Sequence, residues 1–161
     1  LTGVLIAALM LSALLLTLLF NRWRYTLGVM ATVLLSACAV LIGLWITGIE
    51  LDISALMGLT MVVGMITELA IFYLFEIEDE HIHGADALTK AGLGRLRPIL
   101  MSALIAILTL APLALGVSRG AGLQQPLATA IIFGLSVGAP LVLLFLPAAL
   151  RLGSGQKLAA E

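Results

Sequence analysis

ISALMGLTMVVGMITELAIFYLF, residues 53–75, carries a single formally charged side chain, Glu68. As a helix rising about 1.5 Å per residue, the run is long enough to cross a hydrocarbon core of about 30 Å. It lacks the in/out alternation of a barrel strand and is about twice the length such a strand needs. Runs of the same kind occupy residues 1–20, 26–49, 98–117 and 127–150. The 161 residues are 62% hydrophobic and 11% charged, whereas a soluble domain is about half apolar and about a quarter charged. Mean hydropathy is +1.22. In lipid every backbone N–H and C=O must be satisfied within the protein, so apolar runs of this length cross as helices. The expected fold class is an all-α membrane protein, with five transmembrane helices bundled as a single domain over residues 1–161.

Charge placement orients the bundle, because short cytoplasmic loops collect Lys and Arg. Arg22 and Arg24 follow the first run, Lys90, Arg95 and Arg97 precede the fourth, and Arg151 and Lys157 follow the fifth. Only Arg119 lies in a loop on the other side. The C-terminus is therefore expected in the cytoplasm, with Leu1 emerging on the opposite face from a longer, extracytoplasmic part of the protein. Pro98 and Pro126 stand at the start of apolar runs, where a missing N–H costs little, and Pro112 and Pro140 fall inside them. Ala85, Leu88, Gly92 and Leu96 keep helical spacing beside Asp86, Lys90 and Arg95, which predicts a short interfacial helix over about 84–96 on the cytoplasmic surface. Gly134 and Gly138 form a G-x-x-x-G pair suited to close helix packing, and Gly64 is a third packing candidate. Cys38 is the single cysteine, so no internal disulfide is expected.

Glu68 is the feature that calls for chemistry. An acid at the centre of a spanning helix costs about 2.5–3.5 kcal/mol to insert, so it must face the bundle, a partner or a water-lined path. The neutral form is cheaper to bury. A carboxyl that gains and loses a proton inside the membrane is what a proton-coupled transporter requires; a protonated, hydrogen-bonded structural acid is the alternative. At 100° per residue, Met57, Met61, Gly64, Met65 and Glu68 share one stripe of the helix. Thioethers can hold soft ions such as Cu(I), but methionine more often fills gaps between helices, and packing is the preferred reading. His81 and His83 in EIEDEHIHGAD read as part of a solvated loop, since no fixed element sets a metal geometry there. Arg95 and Ser102, seven residues apart, share one helix face. Each has an ordinary reading, as an interfacial anchor and as a hydroxyl bonded back to its own helix.

There is no nucleophile, base and orienter set, no H-E-x-x-H, no G-x-S-x-G and no P-loop in the sequence. An enzyme is not expected, nor is a cofactor, and nucleotide hydrolysis is not expected to drive the chain. A net charge of -1 gives no reason to expect a nucleic-acid partner.

Three stretches, TGIELDISALMGLTMVVGMITELAIF, GLGRLRPILMSALIAILTLAPLAL and GLQQPLATAIIFGLSVGAPLVLLFLPAAL, resemble the C-terminal membrane half of the resistance-nodulation-division efflux pumps, from their eighth to their twelfth helix. The resemblance covers nearly the whole chain. It implies a proton-driven exporter of drugs, hydrophobic compounds or heavy-metal ions in the bacterial inner membrane. Such pumps are usually trimers that work with a periplasmic adaptor and an outer-membrane channel, and here the N-terminal half would be a further partner. By motif, the relay positions of the tenth and eleventh helices fall on Glu68, Arg95 and Ser102. The multidrug pattern has Lys where this chain has Glu68, and a Glu there resembles some heavy-metal exporters. Two other readings stand beside efflux: a non-transporting scaffold half, and a relative that moves lipids or aids protein export.

Overall fold

In the computed structural model the backbone is described at residues 2–21, 23–79, 85–116, 122 and 124–158, and side chains at 3–21, 23–76, 93–116, 122 and 124–149. Five helices account for nearly all of these residues: α1 (Thr2–Phe20), α2 (Trp23–Thr47), α3 (Ile53–Asp79), α4 (Ala85–Ala114) and α5 (Gln125–Leu158). Each contains a stretch long and apolar enough to cross a membrane, so the expected all-α bundle of spanning helices is what forms. Helix α5 is its axis, packed against α2, α3 and α4, while α1 leans on α2 and α3. Of the spanning stretch, 56% is buried in α5 but 11% in α1 and α4, which makes those two the outer helices with most of their surface uncovered.

The centre is a groove in α5 made by Gly134 and Gly138, one turn apart. A Cβ built on Gly134 would stand 2.5 Å from Val62 Cγ2 and 3.1 Å from Val40 Cγ2, and one on Gly138 would meet Ile66 and, at 2.8 Å, Ser36 Oγ. Val62 and Ile66 form a ridge of α3, Ser36 and Val40 a ridge of α2, and both ridges sit in the same groove. Without a hydrophobic drive between helices in lipid, such close backbone approach is what holds spans together. The same seam uses Gly43 under the Phe133 ring and Gly58, where a Cβ would lie 2.9 Å from the Leu127 carbonyl oxygen. Buried hydroxyls are satisfied locally: Thr32 Oγ1 donates to the Gly28 carbonyl and Ser36 Oγ to that of Thr32, both at 2.9 Å. Gly64, by contrast, would meet nothing within 4 Å and is exposed, so it packs no helix in this chain.

Local chemistry fixes the helix ends. Gly48, at φ 68°, closes α2: its N–H donates to the Trp45 carbonyl at 3.2 Å and that of Ile49 to Leu44 at 3.1 Å, the double bond of a glycine C-cap. Asp52 then starts α3, its Oδ1 accepting the Ala55 N–H at 2.8 Å. At the far end of α4, Gln125 Nε2 donates to the Ala114 carbonyl at 2.9 Å and ties α5 to α4.

One expectation is corrected. The interfacial helix over 84–96 and the span over 98–117 are a single helix, α4, with Pro98 inside it. The reason lies in phase: Ala85, Leu88, Gly92 and Leu96 continue at helical spacing into Ile99 and Ala103, which are buried, so the pattern never turns. Pro98 removes one hydrogen bond without ending the helix. Helices α3 and α5 likewise run past their apolar stretches, to Asp79 and Leu158, because hydropathy marks where lipid ends while backbone hydrogen bonding continues beyond it. His81 and His83 lie outside the described residues.

Candidate functional site

The stripe anticipated on α3 exists as a face, and it points away from the core. Val62, Val63, Ile66, Ala70, Tyr73 and Leu74 supply the buried side of the helix. Met57 and Met61 are each 50% exposed on the opposite side, and Glu68 is exposed with them. Glu68 thus faces no interior of these five helices. It sits at the edge of a cleft between α3 and α4.

That cleft, of about 300 Å³, is lined by Met65, Glu68, Leu69 and Phe72 from α3, by Arg95, Pro98, Ile99, Ser102 and Ala103 from α4, and by Leu135 from α5. The three residues singled out for a relay therefore share one cavity. Their placement follows from helix geometry: Arg95 and Ser102 are two turns apart on one face of α4, and the continuity of α4 through Pro98 keeps them in register. Met65 joins the lining, while Met57 and Met61 do not. Among the described residues, no three His, Cys, Asp or Glu side chains gather as a metal site.

Within the cavity the polar contacts are specific. Arg95 Nη2 donates to Glu76 Oε2 at 2.6 Å, one helical stretch beyond Glu68 on α3 and not to Glu68 itself. Both side chains are partly exposed, at 34% and 30%. The Arg95 Nε–H is buried without a partner among the described residues. Ser102 Oγ donates to the Ile99 carbonyl at 3.0 Å, three residues back in its own helix. A neutral hydroxyl, a fixed cation and a carboxyl thus line one apolar-walled cleft, groups that can hold or pass a proton.

Glu76 was hidden in the sequence among the acids of EIEDEHIHGAD, where it read as a loop residue. Its one legible signal is position, at the last turn of α3, where an acid opposes the helix dipole and calls for a cationic partner. Gly43 and Gly58 carried no G-x-x-x-G signal, since the nearest glycines in their runs, Gly48 and Gly64, stand five and six residues away.

Comparison with known proteins bears on the family of the chain. A model of the AcrB/AcrD/AcrF family matches residues 1–152. The chain is 36% identical over 148 residues to the cobalt-zinc-cadmium resistance protein CzcA of Cupriavidus metallidurans, aligning 90% of itself with 14% of that protein. The cation efflux system protein CzcA of an Alcaligenes species matches with the same identity and coverage. A crystal structure of a heavy metal efflux pump superposes with a TM-score of 0.80 at 30% identity, over 89% of this chain and 15% of that one. The chain spans about one seventh of the length of these relatives.

Proposed function

Because the chain belongs to the AcrB/AcrD/AcrF family, we propose that it is the C-terminal membrane half of a proton-driven permease exporting heavy-metal ions across the bacterial inner membrane. The observation that carries this reading is the shared cleft: the carboxyl of Glu68, the guanidinium of Arg95 and the hydroxyl of Ser102 line one cavity inside the spanning region. Two relatives named for cation or metal resistance, and a metal-pump structure over the same segment, support ions over organic compounds as cargo.

In this reading the open side of the cleft and the exposed face of α3, with Met57, Met61 and Gly64, are covered by the N-terminal half of the same permease. A proton taken up by Glu68 cancels a charge that Arg95 attracts along the same wall. A change of one charge in a water-poor cleft biases which of two helix packings is stable, and so couples proton entry to movement. No covalent step or cofactor is required, and the proton-motive force is the drive. The assembled protein is a homotrimer working with a periplasmic adaptor and an outer-membrane channel.

Two outcomes test this. Cells carrying the complete permease should export zinc, cobalt or cadmium ions and lose that export when a protonophore collapses the pH gradient; export of organic dyes with metal ions retained in the cell would reject the assignment of cargo. The C-terminus is cytoplasmic in this reading, from the seven-to-one bias of Lys and Arg. Reporters placed at Gly120 and after Lys157 should score on opposite sides, and two cytoplasmic scores would reject the topology.

A further inference from the structure

Glu76 has no place in the relay as the sequence reads it, yet it holds the one cation of the cleft among the described residues. Arg95 reaches from α4 to Glu76 Oε2 at 2.6 Å, and the partner carboxylate oxygen, Oε1, lies 3.4 Å from where a Cβ on Gly94 would stand. A methyl there would make an ordinary van der Waals contact, so the Glu76 carboxylate lies directly against α4 beside Arg95. Helix α3 gains nothing electrostatically from this acid, since a carboxylate in a last turn opposes the helix dipole. A pair 34% and 30% exposed also contributes little to stability, because solvent screens it and two long side chains must be held. What the pair does achieve is direction. With Nη2 tied to Glu76, the Arg95 side chain lies along the cleft wall, and its buried Nε–H remains unpartnered among the described residues.

We propose that Glu76 is a positioning residue of the relay: it anchors Arg95 to the end of α3 and so sets where the fixed positive charge stands relative to Glu68. This rests on the proton-driven reading given above. Because Glu68 and Glu76 belong to the same helix, eight residues apart, the anchor refers the position of the cation to the helix that carries the acid.

The test uses the complete permease in proteoliposomes with an imposed pH gradient and zinc ion as the probe, at matched protein abundance. Glu76→Gln should lower the export rate about tenfold, the size of an indirect coupling, and Glu76→Asp should restore most of it by returning the charge. Combined with Arg95→Ala, Glu76→Gln should add no further loss, because the two changes remove one interaction. Additive losses, or a rate unchanged by Glu76→Gln while Arg95→Ala and Glu68→Gln are defective, would overturn the positioning role and leave the relay standing. If Glu68→Gln and Arg95→Ala both export normally, the relay reading falls and the role of Glu76 falls with it.

Discussion

In the complete permease, Glu68→Gln abolishes proton-coupled export while the protein inserts, assembles and accumulates normally. The amide has nearly the shape of the acid and keeps hydrogen-bonding capacity, but it cannot take up a proton. Glu68 stands exposed at the edge of the cleft, outside the buried side of α3, so the exchange removes no core packing. The loss expected is about a hundredfold or more, in line with deleting a group that transfers a proton. Arg95→Ala and Ser102→Ala should give weaker defects of the same kind, since they hold the charge and the polar path without being the titrating group. Efflux measured under a pH gradient at matched membrane abundance decides it. Near-wild-type export by Glu68→Gln would return the residue to a structural role and remove the coupling function from this half.

Gly134→Ala should be strongly destabilising to the bundle. The new Cβ would lie 2.5 and 2.6 Å from the two methyls of Val62 and 3.1 Å from Val40 Cγ2. Valine in a helix is held to essentially one rotamer, so neither neighbour can swing aside, and α5 must separate from α2 and α3. Overpacking of this kind costs about 1–3 kcal/mol, a large share of the stability of any domain. Thermal unfolding of the purified permease in detergent should show a lowered midpoint, and Val62→Ala in the same protein should restore most of it by making room for the methyl. An unchanged midpoint for Gly134→Ala would mean that the groove does not hold the helices together.

Most of the candidate site was legible before its geometry was. The stripe of Met57, Met61, Gly64 and Glu68 follows from 100° per residue, and so does the shared face of Arg95 and Ser102. The resemblance to the resistance-nodulation-division pumps, drawn from three apolar stretches, is upheld by a family match over residues 1–152. What could not be read was the partner of Arg95. Glu68 and Glu76 both lie on the helix that α4 packs against, and the choice between them depends on how far α4 continues before Pro98, which in turn depends on a helix surviving the proline.

The sequence by itself determined that the chain lies in a membrane, that it crosses as helices, how many spans it holds and that one of them carries an acid. These follow from transfer free energies, which depend on composition along the chain and on no neighbour. Only the tertiary structure decided which side of each helix meets another. Leu146 and Val142 are fully buried in α5 while Leu144 and Val137 are exposed, and the residue types are the same. In water an apolar stripe marks the buried face of a helix; in lipid both faces are apolar, and the choice passes to shape, to the glycines that admit a ridge and to the few polar contacts between helices. For that reason Gly134 and Gly138 sit at the centre, Gly64 and the exposed methionines look outward, and Glu68 opens on a cleft at the uncovered side of the bundle.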